Sequence, residues 1–398
     1  MKILFVEWAS FGNEDIKEAF ILEGHRYVSF YYNADGNIRE DSQTEERLSS
    51  VLHKEAPDIV FSFNYFPVIS NVCQKEGVRY ISWIYDSPFA PLYSRSVANP
   101  CNTVCVFDKE VYLELRFAGI KTVYYMPLAV NTKRLDYFSR RENKSESDSA
   151  AGDEKLSSAY KYEISFVGSL YTEKYNFFDS MNNLSDYSRG YLDALMAAQM
   201  RVQGCSFIQE TLLPVLEDLY RVYPLDPSPD GMESREWLYT QYVINRKITA
   251  LERTSLLSAA AERHTLDLFT HHQDYCMPNV RNHGVADYYD EMPQIFRKSK
   301  INLNITLRSI KSGVPLRVFD ILGCGGFLLS NFQGDFLDLF VPGEDFVFFD
   351  GREDLQRKVD YYLEHEEERQ EIAANGYEKG AAGHTYRHRV KEMFSLDI

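Results

Sequence analysis

The sequence predicts an α/β protein with two doubly wound parallel sheets that follow one another along the chain. Short apolar segments alternate with amphipathic segments over residues 1–138, and the alternation resumes from residue 161. Strands that alternate with helices form parallel sheets, because each crossover helix returns the chain to the same edge. The length of 398 residues also exceeds what one ordinary core accommodates. We therefore expect two domains, at residues 1–138 and 161–398.

The first domain is predicted to contain six strands and four helices. The strands are apolar runs rich in β-branched and aromatic side chains, namely KILFVEW, RYVSFYY, DIVFSF, RYISWIY, TVCVF and TVYYM. The helices are NEDIKEAFILEGH, TEERLSSVLHKEA, residues 67–76, and Asp108 to Gly119. Gly24 and Pro57 end the first two helices through their backbone geometry. In sheets of this kind, ligands bind beyond the carboxyl ends of the strands.

Residues 139–160 are predicted to be a flexible linker or loop between the domains. The stretch is rich in Ser, Lys and Glu and has almost no bulky apolar side chain before Tyr160. So little apolar surface cannot offset the entropy that ordering the chain would cost.

The second domain is predicted to carry a helical insertion. Its first strand is YEISFVGSLY, and residues 185–260 are then helix-rich, most clearly at YLDALMAAQMRVQ and YVINRKITALERTSLLSAAA. The alternation returns with the strands TLDLFT, INLNIT, GFLLS and DFVFF and with a helix from about Pro315. Three helical stretches close the chain, at REDLQRKVDYYLEHE, EERQEIAANGYEKG and HTYRHRVKEMF.

The composition and the missing motifs exclude several classes of function. The net charge of −16 argues against general nucleic-acid binding, which needs a basic surface. The sequence has no P-loop, no G-x-G-x-x-G after the first strand, no nucleophile elbow and no zincin motif. We expect no membrane span and no signal peptide. The six scattered cysteines fit buried thiols in a reducing cytoplasm, where we expect the protein to reside.

Two candidate sites lie at predicted strand ends. Asp86 follows the strand RYISWIY, within YDSPF, and is a candidate general base or contact for an acceptor hydroxyl. The same carboxylate could instead cap its own turn. Gly168 and Ser169 follow the first strand of the second domain, where a glycine lets an anion approach backbone N–H groups. A simple tight turn explains them equally well.

The segment INLNITLRSIKSGVPLRVFDILGCGG carries the strongest candidates. Asn304 lies on its strand, and Pro315 is suited to the first turn of the following helix. Arg317 then lies beside the positive end of the helix dipole, which is unfavourable unless an anion is also present. Asp320 lies on the same helix face and can accept hydrogen bonds from ribose hydroxyls. A ligand with a diphosphate and a ribose would satisfy both, whereas a surface ion pair between Arg317 and Asp320 is the alternative.

These motifs resemble a known family. The sequence resembles the CgeB-like (spore-protein YkvP/CgeB type) glycosyltransferases, relatives of the group 1 glycosyltransferases of GT-B fold. The resemblance is strongest over residues 299–390, in SKINLNIT, VPLRVFDILGCGGFLLSN, LFVPGEDFVFF, YYLEHEEERQEIAANGYEKG and HTYRHRV. WIYDSPF, VFDKEVYLELRFAGI and VYYMPLAVN extend it to the first domain. It is weakest over residues 139–260.

The resemblance implies a GT-B enzyme with two Rossmann-like domains that face each other across a cleft. The second domain would hold a UDP-, GDP- or TDP-sugar, with Arg317 at the diphosphate and Asp320 at the position of the second Glu of group 1 enzymes. The position of the first Glu carries no acidic residue, which departs from that pattern. The first domain would bring an acceptor, a cell-surface or spore-surface glycan or protein, and the last helix would cross back to that domain. The resemblance implies no cofactor and no required metal.

Two other functions fit the same scaffold. The chain could be a non-catalytic surface-layer or binding protein, which the missing first acid favours and the retention of Asn304, Arg317 and Asp320 opposes. It could also be a nucleotide-sugar 2-epimerase, which shares the GT-B architecture.

Overall fold

The computed structural model describes residues 1–34, 38–136, 160–172 and 176–396. These residues form two six-stranded sheets in which all neighbouring strands are parallel. The predicted α/β fold with two doubly wound domains is therefore confirmed. The predicted linker at residues 139–160 lies outside the described residues, apart from Tyr160.

The first sheet has the strand order β2-β1-β3-β4-β5-β6. Its central strands read as unbroken apolar runs because both faces are covered by helices, and β3 and β5 are buried along their whole length. The elements are β1 (Lys2–Glu7), α1 (Asn13–Leu22), β2 (Arg26–Tyr31), α2 (Ser42–Glu55), β3 (Ile59–Phe63), α3 (Pro67–Glu76), β4 (Arg79–Ile84), the 3₁₀ turns Ala90–Tyr93 and Arg95–Ala98, β5 (Asn102–Val106), α4 (Lys109–Phe117) and β6 (Val123–Tyr125).

The second sheet has the strand order β12-β11-β10-β7-β8-β9. Its elements outside the insertion are β7 (Tyr162–Val167), β8 (Leu266–Phe269), β9 (Val280–Asn282), α11 (Met292–Arg297), β10 (Ser299–Asn304), α12 (Leu316–Gly323), β11 (Leu328–Asn331), α13 (Phe336–Leu339), β12 (Val347–Phe349), α14 (Gly351–Glu364), α15 (Glu366–Gly383) and α16 (Tyr386–Ser395). The sequence does not predict β9, because this edge strand has three residues of which two are polar.

The helical insertion follows β7 and has a hydrophobic cluster of its own, around Leu192, Leu212, Leu219 and Ile248. It comprises α5 (Phe177–Ser180), α6 (Asp186–Gln199), α7 (Ile208–Thr211), the 3₁₀ turn Leu213–Val215, α8 (Leu216–Val222), α9 (Arg235–Leu238), the π-helical stretch Tyr239–Ile244 and α10 (Asn245–Ala260). It also contacts the first domain, since Asp230 accepts a 2.7 Å bond from the Arg39 guanidinium.

The loops after the carboxyl ends of the two sheets meet each other. Asp108, which follows β5 and is 1% exposed, caps α4 and also accepts a 2.6 Å hydrogen bond from the backbone N–H of Lys311 and one from the Ser312 hydroxyl. Ser87, after β4, donates to the carbonyl of Ser309 at 3.1 Å. The carboxyl edges of the two sheets therefore face each other.

The last helix lies against the first domain. The ring of Phe394 on α16 stacks on Phe20 of α1, and Arg389 donates to the carbonyl oxygen of Pro127 at 2.9 Å. Within the described ranges, no helix has the length and apolar character that a membrane span requires.

Candidate functional site

The candidate donor site is built around Arg317 in the first turn of α12. Its guanidinium lies directly over Gly168, so that a Cβ on Gly168 would stand 2.7 Å from Nη2 and 3.1 Å from Cζ. Nη1 donates a long 3.4 Å bond to Oδ1 of Asn304, and Cζ lies 5.9 Å from the centre of the Phe166 ring. The fold thus brings together three predicted residues that are far apart in the sequence.

Asn304 is buried and held in one orientation. Its Nδ2 donates to the hydroxyls of Thr306 at 3.0 Å and Ser330 at 2.9 Å, which leaves Oδ1 to face Arg317. A side-chain amide fixed in this way positions the guanidinium without neutralising it.

The charge of Arg317 is not balanced by a carboxylate. Among the described residues no acidic group lies within 4.0 Å of its guanidinium, and Asp320, three residues on, is not its ion-pair partner. Burial lowers the pKa of Arg317, while Tyr171 and Asp320 oppose that shift. A half-buried cation without a paired carboxylate attracts an anion from the cleft.

Arg253 on α10 fixes the backbone around this cation. It is 3% exposed and donates to the carbonyl oxygens of Ser169 and Ile305, the latter at 3.1 Å from Nε. Its Cζ lies 5.3 Å from the centre of the Phe166 ring, on which Arg317 also packs. The loop after β7 and the end of β10 are therefore tied to one buried guanidinium.

Asp320 has a different hydrogen-bond partner from Arg317. The residue is 7% exposed, and Oδ1 accepts a 3.2 Å hydrogen bond from the hydroxyl of Tyr288. Burial raises the pKa of Asp320 to about 7, with Arg134 lowering it and Asp15 raising it. Arg134 belongs to the first domain and forms a bidentate pair with Asp15, at 2.8 and 3.1 Å. The carboxyl group of Asp320 thus lies where second-domain and first-domain groups meet.

The raised pKa of Asp320 predicts a pH dependence of stability. The pKa of this carboxyl is higher in the folded than in the unfolded protein, so between the two pKa values only the folded protein keeps the proton. The stability that the carboxyl contributes is therefore present below about pH 4 and is lost as the pH rises towards 7. We expect the free energy of unfolding of Asp320→Asn, relative to the parent protein, to rise by about 1–3 kcal/mol from pH 5 to pH 8. Urea titrations at both values test this, and a pH-independent difference would contradict it.

Asp86 lies across the cleft, at the carboxyl end of β4. Asn64 clamps it, since Oδ1 of Asn64 accepts from the backbone N–H groups of Tyr85 (3.1 Å) and Asp86 (3.3 Å), while Nδ2 donates to Oδ2 of Asp86 at 2.6 Å. Asn64 has a φ of 55°, a left-handed conformation that asparagine tolerates. The surface of Asp86 is open to the cleft, yet surrounding protein desolvates the carboxylate and raises its pKa, against the bond from Asn64.

Gly168→Ala is a direct test of the close approach at the donor site. A Cβ there would lie 2.7 Å from Nη2 of Arg317, so the flexible end of Arg317 must move, and the φ of 153° adds backbone strain. We expect affinity for a nucleoside diphosphate to fall by roughly tenfold, which corresponds to about 1.4 kcal/mol, while the fold is retained. Gly284→Ala is the matched control, because Gly284 also has a positive φ, of 77°, while a Cβ there meets nothing within 4 Å. Equal affinities for the two variants, measured by calorimetry, would contradict the placement of Arg317.

Sequence reasoning misses two supporting residues. Arg253 lies in an amphipathic helix, where its position in the sequence does not distinguish it from a cation that faces solvent. Asn64 follows an apolar strand and belongs to no recognisable motif. Both act through tertiary contacts that no local pattern encodes. Within the described part of the chain, no group of three or more His, Cys, Asp or Glu side chains is placed to hold a metal ion.

Comparisons with known proteins agree with this architecture. Residues 251–395 match a family model described as "Glycosyl transferase-like", and this part contains Arg253, Asn304, Arg317 and Asp320. No curated protein matches the chain. This part of the chain is therefore similar to glycosyl transferase-like domains, and the match does not specify a narrower type.

Several solved structures share the fold over the whole chain. Sucrose-phosphate synthase from Thermosynechococcus elongatus has 11% sequence identity and a TM-score of 0.52, covering 100% of this chain and 98% of its own. A glycosyltransferase from Rickettsia africae has 12% identity and a TM-score of 0.50, covering 100% and 99%. Anabaena HepE in complex with UDP has 11% identity and a TM-score of 0.50, covering 99% and 100%. At these identities the likeness establishes the GT-B fold.

Proposed function

We propose that the protein is a glycosyltransferase that moves a sugar from a nucleotide-diphosphate sugar to an acceptor held by the first domain. One observation carries the proposal: the half-buried guanidinium of Arg317, without a paired carboxylate, lies over Gly168 at the ligand-binding edge of the second sheet. The glycosyl transferase-like match over residues 251–395 includes this residue. HepE, a protein of the same fold, was crystallised with UDP, which supports a uridine nucleotide among the candidates.

Arg317 is proposed to bind the diphosphate. It lies in the first turn of α12, where free backbone N–H groups also favour an anion. Negative charge builds on the diphosphate as the bond to the sugar breaks, so a preorganised cation and a helix end stabilise the transition state more than the ground state. We propose that these groups act without a required metal ion. Gly168, Ser169 and Asn304 hold this arrangement, and Asp320 is proposed to meet the ribose.

Asp86 is proposed to accept the proton of the acceptor hydroxyl. As that proton moves to the carboxylate, the acceptor oxygen bonds to the anomeric carbon and the bond from that carbon to the phosphate oxygen breaks. The pKa of Asp86 is raised above the ordinary value and so lies closer to neutral pH, which makes its carboxylate a more effective general base. The hydrogen bond from Asn64 holds Oδ2 in place.

The proposed function is tested with a panel of UDP-, GDP- and TDP-sugars and with disaccharide or protein acceptors. We expect one donor to release its nucleoside diphosphate and to glycosylate an acceptor. An isomeric nucleotide-sugar without released nucleotide would identify a 2-epimerase instead. Tight donor binding without either product would identify a non-catalytic binding protein.

A further inference from the structure

The first-domain side of the cleft is lined by aromatic rings. Trp8, after β1, and Tyr85, after β4, stack with their centres 6.2 Å apart and their planes within 9°. Phe11, in the same loop as Trp8, lies 5.0 Å from the ring of Tyr288 in the second domain. These rings therefore extend from the carboxyl edge of the first sheet to the facing domain.

The rings are partly exposed to solvent. Phe11 is 55% exposed, and Trp8 and Tyr85 are partly exposed. The other two tryptophans of the chain, Trp83 and Trp237, are buried at 1% and 4% exposure. Trp8 and Tyr85 pack against the core on one side, and the part of them that stays exposed next to a candidate base fits a binding surface for an apolar ligand face.

Polar groups next to the rings suit hydroxyl recognition. The open carboxylate of Asp86 can accept from two hydroxyl groups, and Asn64 fixes its orientation through the 2.6 Å bond to Oδ2. A small number of directional polar groups next to apolar ring faces is typical of sites that bind small polar molecules with an apolar face.

The loops that carry these rings hold no cation for an anionic acceptor, and Arg134, which lies over the Tyr288 ring, is paired with Asp15. The loops at residues 8–12, 64–66 and 85–89 contain no Lys or Arg, and they contain one carboxylate, Asp86. The facing domain instead carries Arg317 at the carboxyl edge of its sheet. A phosphorylated or acidic acceptor would meet repulsion at Asp86, whereas a neutral acceptor does not compete with the donor diphosphate for Arg317.

We infer that the acceptor is a neutral carbohydrate whose pyranose ring packs on Trp8 and Tyr85 and directs one hydroxyl to Asp86. The C–H face of a pyranose is apolar with slight positive charge, so it packs favourably on the negative face of an aromatic ring. This inference rests on the proposed function and narrows its acceptor from a glycan or protein to a sugar ring.

The inference is tested by saturation-transfer NMR and intrinsic fluorescence with cellobiose, maltose, chitobiose and mannobiose, in the absence of donor. We expect at least one disaccharide to receive saturation at its ring C–H protons and to shift the fluorescence of Trp8, the tryptophan that is partly exposed. Trp8→Ala should weaken that binding by at least tenfold, and Trp8→Phe, which keeps a ring, should weaken it less. Phe117→Ala is the control, since Phe117 lies on α4 and is 87% exposed.

Three results would overturn the inference: no disaccharide binds up to 50 mM, binding is unchanged in folded Trp8→Ala, or a Ser/Thr peptide competes for the same surface. Calorimetry with UDP, GDP and TDP separates this failure from that of the proposed function. Nucleotide binding without disaccharide binding would contradict the carbohydrate acceptor and leave the proposed transferase function in place. Disaccharide binding without any nucleotide binding supports the sugar surface and rejects the transferase.

Discussion

Asp86→Asn is expected to lower the rate of sugar transfer by about 10²–10⁴-fold, the usual contribution of a general base. An amide has the size of the carboxylate but cannot take the proton of the acceptor hydroxyl. Affinity for the nucleoside diphosphate should stay unchanged, because Asp86 belongs to the first domain and the proposed diphosphate contact belongs to the second. Initial rates and calorimetric titrations of the same preparation measure the two effects.

The pH profile and a control variant complete this test. Because desolvation by the surrounding protein raises the pKa of Asp86, activity should decline on the acid side at a pH above that of an ordinary aspartate. Asp193→Asn, an exposed position on α6, should leave the rate unchanged. A normal rate for Asp86→Asn would show that the carboxylate only stabilises its own loop.

Asp108→Ala is expected to lower the free energy of unfolding by about 2–4 kcal/mol. Loss of a helix cap costs roughly 1 kcal/mol, and each buried partner left without its hydrogen bond adds about 1–3 kcal/mol. Asp108 caps α4 through Glu110 and Val111 and also receives the backbone N–H of Lys311 and the hydroxyl of Ser312. Urea denaturation followed by circular dichroism measures the change.

A surface aspartate provides the comparison for Asp108. Asp338 pairs with Lys109 across the same contact between the domains, but both side chains are close to half exposed. Asp338→Ala should therefore cost less than about 1 kcal/mol. If the two variants are equally stable, Asp108 is not the residue that joins the domains.

The sequence predicts the sheets better than the site. Apolar runs such as DIVFSF and TVCVF identify β3 and β5, because strands buried on both faces exclude polar residues. Gly168 and Arg317 are each weak local signals, and only the strand order, with β7 beside β10, brings them into contact.

The direction of Asp320 shows the limit of helical periodicity. Its spacing from Arg317 predicts a shared helix face, yet the two side chains have different partners, Tyr288 and Asn304. Those partners come from the loop before α11 and from β10, and no spacing within the helix encodes them. Tertiary contacts therefore decide which neighbour each charged group meets.

The central claim, that Arg317 binds the diphosphate of a nucleotide-sugar, is tested most directly by calorimetric titration of UDP, GDP and TDP into folded variants. Arg317→Ala should weaken binding of the preferred nucleotide by about ten- to a hundredfold, the loss of a charge-assisted contact of roughly 1.5–3 kcal/mol. Arg317→Lys should recover part of it, because an ammonium lacks the planar fork. Arg263→Ala, which removes an exposed cation paired with Asp360, should bind as the parent does. Parent-like affinity in Arg317→Ala would contradict the donor-site assignment.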